Sequence, residues 1–184
     1  MIVIGIIGPK AAGKETIALH IAKKYGGMAH SHSEILDEIL ELLQLPITRE
    51  NQIKLVALRK TFGPEALTRA LAKKIRNENA PIEVITGIRF DSEFEHVRKY
   101  PQNIIIYVDA DPELRFEWSK QRGQKRDKTV SDTYEHFLAY EAKETEVHIR
   151  ELGRQADYKI QNTGTLKDLL GQVDAIMEKV LKTN

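Results

Sequence analysis

Apolar positions along the chain recur in two distinct periods, and each period predicts a different element. Continuous apolar runs at Ile2-Val3-Ile4-Gly5-Ile6-Ile7, Ile82-Glu83-Val84-Ile85 and Ile104-Ile105-Ile106 read as strands buried on both faces, as in a parallel sheet. They set strands over 2–8, 82–87 and 103–108. Shorter extended pieces are expected over 28–32 and 158–160. Between them the period changes to that of a helix. Ile17, Ala18, Ile21, Ala22 and Tyr25 form one stripe over 14–25, and Ile35, Leu36, Ile39, Leu40 and Leu43 form another after Ser33, taken as its N-cap. Thr48 is expected to cap a helix running to about Phe62, and Gly63-Pro64 to start the next, through Leu67, Leu71 and Ile75. Helices follow near 91–99, from Pro112 to 122, over 132–152, and from Leu166 to Leu181, with Gly123–Lys128 a charged loop. Strands alternating with helices predict an α/β fold: a five-stranded parallel sheet with helices on both faces.

The chemistry concentrates in Gly8-Pro9-Lys10-Ala11-Ala12-Gly13-Lys14-Glu15-Thr16, which joins the first strand to the first helix. Gly8, Gly13 and Lys14 stand at the G-x-x-x-x-G-K spacing of a phosphate-binding P-loop. Such a loop can turn successive amides inward as an anion nest, beside the free N–H groups of a helix N-terminus. Lys10, Ala11, Ala12 and Glu15 complete the nucleotide-binding stretch, and Lys14 is placed to reach the β- and γ-phosphates. The residue after the lysine is Glu15, so the hydroxyl expected beside Mg²⁺ comes one position later, at Thr16. Ligands of such sheets lie beyond the carboxyl ends of the strands, which also places Arg89, Asp91, Asp109 and Asp111 near the loop.

Composition narrows the possibilities. The chain has 184 residues with 28 Lys plus Arg against 27 Asp plus Glu and no cysteine. One domain is expected, with no extended nucleic-acid footprint and no thiolate chemistry. No apolar run approaches a membrane span, and the first strand begins at residue 2, so a cytoplasmic location is expected. His30 and His32 alternate along one segment without a third ligand, a weak arrangement for zinc. Trp118 is expected to pack along its helix. A GTPase switch is disfavoured: no D-x-x-G follows the loop at a sensible place, and no N-K-x-D appears.

Several further segments carry a resemblance. The G-K-x-T loop, Gly87-Ile88-Arg89, Asp109 through Arg115 with Gln121-Arg122-Gly123, and Ala156 through Leu166 resemble nucleoside-monophosphate-kinase-type P-loop proteins. Among these, the pattern resembles that of dephospho-coenzyme A kinase and deoxynucleotide monophosphate kinase. The resemblance implies a core of 1–33, 80–121 and 153–184, an acceptor-binding helical region over 34–79 and a lid over 122–134. It implies that Lys14, Arg89, Arg122 and Arg126 act on transferring phosphate, that Arg122, Asn162 and Gly164 lie on the nucleotide, and that Ser33, Glu34, Asp37, Arg49, Arg59 and Arg89 face the acceptor. ATP and Mg²⁺ are the implied cofactors, with Thr16, Asp91 and Asp109 as metal candidates. Small molecules are the expected partners of a monomer or homodimer. The same resemblance exposes two departures: Thr86 stands where relatives carry a magnesium-orienting Asp, and Ser31-His32-Ser33 where they carry an Asp near the acceptor. The activity implied is transfer of the γ-phosphoryl of ATP to a nucleotide-like acceptor. The rivals are dephospho-coenzyme A kinase activity and a nucleotide-binding regulator without turnover.

Overall fold

A computed structural model describes residues 1–126, 133–142 and 144–183, and the side chains at 49, 122–126, 140, 144–146 and 183 are not among those described. The strands are β1 (Ile2–Ile7), β2 (Met28–Ser31), β3 (Ile82–Thr86), β4 (Asn103–Ala110) and β5 (Tyr158–Asn162). They form one sheet in the order β2-β3-β1-β4-β5, and each neighbouring pair is parallel. The helices are α1 (Lys14–Tyr25), α2 (His32–Leu42), α3 (Arg49–Val56), α4 (Leu58–Phe62), α5 (Ala66–Glu78), α6 (Asp91–Arg98), α7 (Pro112–Arg126), α8 (Tyr134–Glu141), α9 (Glu144–Gly153) and α10 (Leu166–Thr183).

Central position explains the composition of β1. Its even residues Ile2, Ile4 and Ile6 enter a core with α1 and α10, including Ile17, Ile21, Val173 and Met177. The odd residues Val3 and Ile7 enter a second core with Ile35, Leu71, Ile75, Phe94 and Val97 from α2, α5 and α6. A strand whose alternate side chains both meet helices must be apolar throughout. Burying one such isoleucine contributes about 1.5–3 kcal/mol.

Boundaries differ from expectation where local chemistry overrides the apolar stripe. Helix α2 begins at His32, one residue before the expected Ser33 cap. Its cap is Ser31, whose side chain accepts from the Ser33 N–H while Glu34 answers the Ser31 N–H, a reciprocal capping box. Thr48 does cap α3, but that helix stops at Val56, and α4 is a separate turn. Helix α5 starts at Ala66, two residues past Gly63-Pro64. Helix α7 continues to Arg126, so the stretch expected to loop from Gly123 is helical as far as Arg126. The expected 132–152 helix is two helices, α8 and α9. Leu43, assigned to the α2 stripe, is exposed, as is Leu166 at the start of α10.

Candidate active site

The Gly8–Gly13 loop leaves the carboxyl end of β1 and passes directly into α1, and its geometry shows why two positions must be glycine. Gly8 has φ 151, and a Cβ there would lie 2.1 Å from the Val108 carbonyl oxygen. Gly13, the left-handed N-cap of α1 with φ 106, would place a Cβ 3.0 Å from the Asn162 amide nitrogen. Ala11 also takes a left-handed conformation, at φ 62, which costs an alanine on the order of 1 kcal/mol. Lys14 is buried, and its Nζ donates to the Pro9 carbonyl at 2.7 Å, folding the ammonium back over the loop. No side chain caps α1, so its N-terminal end presents main chain and a positive dipole.

Two chambers flank this loop. One, of about 350 Å³, is lined by Gly13, Thr16, Trp118, Gln121, Asn162, Gly164, Thr165, Leu166 and Leu169. The other, of about 320 Å³, is lined by the loop residues Lys10, Ala11, Lys14 and Glu15, by Ser31, His32, Ser33 and Leu36, and by Ile53, Val56, Arg59, Leu67, Gly87, Arg89, Phe90 and Glu93. The glycine-rich loop and the first turn of α1 thus form a wall of both.

The floor of the second chamber is an ion pair. Glu93 receives the Arg59 guanidinium at 2.7 Å, with side-chain exposures of 4% and 11%, and it accepts the backbone N–H of Arg89 at 2.7 Å and of Phe90 at 3.3 Å. Arg59 also donates to Ser92 Oγ at 3.0 Å and lies 3.8 Å over the Phe90 ring. Arg59, expected to face the acceptor, lines this chamber, but its guanidinium is held in the wall by the salt bridge. His32 sits beside this pair. Its Nδ1 donates to the Thr86 carbonyl at 3.4 Å, so Nε2 carries the lone pair, and that atom is buried without a partner among the described residues. Burial lowers the His32 pKa, with the positive charge of Arg59 assisting and Glu93 and the Thr86 hydrogen bond opposing, so the ring is neutral at pH 7.

Placement separates the remaining candidates. Ser33 and Arg89 line the second chamber, while Asn162, Gly164 and Thr16 line the first. Glu34 is used in the α2 cap, binding the Ser31 N–H at 3.1 Å. Asp37 lies outside the chamber lining and accepts from Gln52 at 2.6 Å, tying α2 to α3. The Arg49 side chain lies outside the described residues, as do the Arg122 and Arg126 side chains and residues 127–132 of the expected lid. Trp118 lines the first chamber, where its helix was expected simply to use it in packing. Asp91 is exposed and faces His148 at 3.2 Å, and Asp109 accepts the neighbouring Ala110 N–H at 2.9 Å; neither lines a chamber. Thr86 is buried and donates to the His30 carbonyl at 3.4 Å. His30 is paired with buried Glu83 at 2.6 Å. No three His, Asp or Glu side chains converge on a metal position among the described residues; of the metal candidates, Thr16 stands on a chamber wall.

Sequence reading missed Arg115 as a site residue. It is 2% exposed, and its Nε donates to the Ala110 carbonyl at 2.9 Å, Nη1 to the Lys10 carbonyl at 3.3 Å and Nη2 to Glu141 at 2.8 Å. Arg150 reaches the same Glu141 oxygen at 2.7 Å. The sequence carried no signal for it: its burial and its partners 105 and 26 residues away appear only in the fold.

The parallel sheet order and the strand–loop–helix phosphate cradle define a P-loop kinase fold. Shikimate kinase from Bacteroides thetaiotaomicron superposes with a TM-score of 0.69 at 16% identity, over 97% of this chain and 98% of that one. Dephospho-CoA kinase from Campylobacter jejuni gives 0.59 at 19% identity, over 99% and 98%. No protein-family model matches the chain. In sequence it is 32% identical to the UPF0200 protein of Methanocaldococcus jannaschii over 184 residues, 98% of this chain and 91% of that protein. The UPF0200 protein of Pyrococcus abyssi is 30% identical over 189 residues, 99% and 98% of the two. The chain belongs to the UPF0200 family.

Proposed function

We propose that the protein is a phosphotransferase that moves the γ-phosphoryl group of ATP to a small nucleotide or nucleotide-like acceptor. The observation that carries this reading is the pair of chambers meeting at one phosphate-type loop, with Gly13 and Thr16 on one side and Lys14 on the other. Phosphoryl transfer asks mainly for positioning and charge neutralisation, and two chambers joined at a loop supply the first. Lys14 leaves the Pro9 carbonyl to meet the transferring phosphate, and the loop amides hold the phosphates behind it. Arg89 meets the acceptor end, with Arg122 and Arg126 as further phosphate contacts. Helices α2–α5 act as the acceptor-binding region and 122–134 as the lid. Among the described residues lining the chambers, Thr16 would hold magnesium brought with the nucleotide, and the ion would supply neutralisation of phosphate charge.

The test is transfer from Mg·ATP to a panel of ribo- and deoxynucleoside monophosphates, dephospho-coenzyme A and shikimate, with Lys14→Ala as control. Turnover on one acceptor, lost by about 10²-fold or more in Lys14→Ala, supports the reading. ATP binding without transfer to any of them refutes it for these acceptors. That outcome fits the second reading, a nucleotide-binding regulator, which one observation favours: β3 ends in Thr86, turned to the His30 carbonyl, in place of a carboxylate.

A further inference from the structure

The loop carbonyls are gripped from outside the loop. Arg115 Nη1 donates to the Lys10 carbonyl at 3.3 Å, and Asn162 Nδ2 donates to the Ala12 carbonyl at 3.0 Å. Both donors are more than nine-tenths buried, at 2% and 5% exposure. Each is itself fixed at the end of a strand. Arg115 also holds the last carbonyl of β4, that of Ala110, while Asn162 closes β5 and accepts the Gly164 N–H at 3.3 Å.

A trans peptide is planar, with its C=O and N–H pointing in opposite directions. Holding the Lys10 oxygen therefore aims the Ala11 N–H away from Arg115, and holding the Ala12 oxygen aims the Gly13 N–H away from Asn162. These are the amides of the two left-handed loop residues, at φ 62 and φ 106, where the chain is most prone to turn a peptide over. We infer that Arg115 and Asn162 are positioning residues that orient two phosphate-facing amides of the loop, one anchored to the end of β4 and the other to the end of β5. The inference rests on the phosphate-binding reading above. It also gives Asn162 a role in shaping the cradle, separate from contact with a base.

Removing Arg115 leaves Glu141 still paired with Arg150 at 2.7 Å, so Arg115→Met does not strand a buried carboxylate. The experiment is titration of the isotope-labelled full chain with inorganic tripolyphosphate, following the Ala11 and Gly13 amide resonances. In the wild type both shift. Arg115→Met is expected to abolish the Ala11 shift while Gly13 still responds, and Asn162→Leu to do the reverse. Each variant loses about tenfold in tripolyphosphate affinity, the effect of one hydrogen bond. Arg115→Lys, which keeps a donor, is expected to restore the Ala11 response. Equal affinity in wild type and variants, or loss of both amide responses together in either variant, overturns the inference alone. A wild type whose amides ignore tripolyphosphate overturns the phosphate reading and the inference with it. If Arg115→Met does not fold, Asn162→Leu decides by the same criteria.

Discussion

Removing the charge from Glu93 is expected to cost far more than a surface pair would. Its carboxylate receives the Arg59 guanidinium and two backbone N–H groups, and both side chains of the pair are nearly enclosed. Breaking a buried pair by deleting one partner typically costs about 3–5 kcal/mol, because the other charge is left without compensation. Glu93→Gln keeps an oxygen for the Arg89 N–H, so about 2–3 kcal/mol is the expected loss. For a chain of this size that lowers the melting temperature by roughly 5–10 °C. Arg59→Met removes the opposite charge together with its stacking on Phe90, and about 2 kcal/mol is expected. The double variant strands no charge, so its loss should fall short of the sum of the singles by about 1–3 kcal/mol. Urea unfolding of the four proteins, followed by circular dichroism, measures the cycle. Additivity within about 0.5 kcal/mol would refute the claim that the two charges are energetically one unit.

Three further predictions follow from the same geometry. Because burial holds the His32 pKa below its ordinary value, and His96 is lowered likewise, the unfolded chain takes up protons below about pH 6.5 that the folded chain resists. Stability should thus be full above that pH and fall as the solution is acidified, and His32→Gln should flatten the slope measured between about pH 5 and 6.5. Gly13→Ala adds a Cβ at φ 106, 3.0 Å from the Asn162 amide nitrogen. It should cost about 1–3 kcal/mol and weaken ATP binding, read by calorimetry; unchanged affinity would contradict the site. Away from the chambers, Asp174 clamps α10 to α1 through His20 at 2.7 Å, Tyr25 at 2.8 Å and Lys24 at 2.9 Å. Burial raises the Asp174 pKa, but these three hydrogen bonds outweigh it and bring it to about 2. The clamp therefore holds above the ordinary carboxylate range and is lost as the pH falls towards 2. With Asp174 a quarter exposed, Asp174→Ala should cost about 1–2 kcal/mol after solvent screening. The same change should lower the Tyr25 pKa from about 12, seen by ultraviolet titration.

Legibility followed the range of the forces involved. The strand cores and the phosphate loop could be read directly, since an all-apolar β1 and the Gly8–Lys14 spacing are local signals. Helix breaks were harder. Residues 48–62 carry no glycine or proline, yet the helix stops at Val56, and α7 keeps its helix through Gly123. Ser31 was overlooked as a cap although Glu34 stands three residues on. The Arg59–Glu93 pair joins residues 34 positions apart, and Arg115 meets Lys10 across 105. No periodicity encodes a partner at such separations. Asp109 lies near the end of β4 and Asp91 opens α6 beyond the end of β3, but such a position does not fix side-chain direction, and neither lines a chamber.

The sheet order also bears on how the chain is made. Strand β1 lies between β3 and β4, which begin only at Ile82 and Asn103. At ribosomal rates of about 5–20 residues per second, an all-apolar hexapeptide waits on the order of 5–20 s for both neighbours to be synthesised. During that interval its edges are open to other nascent chains. Hairpin folds close such edges early; here the central strand is completed late, making β1 the segment for which a holding chaperone has most to shield.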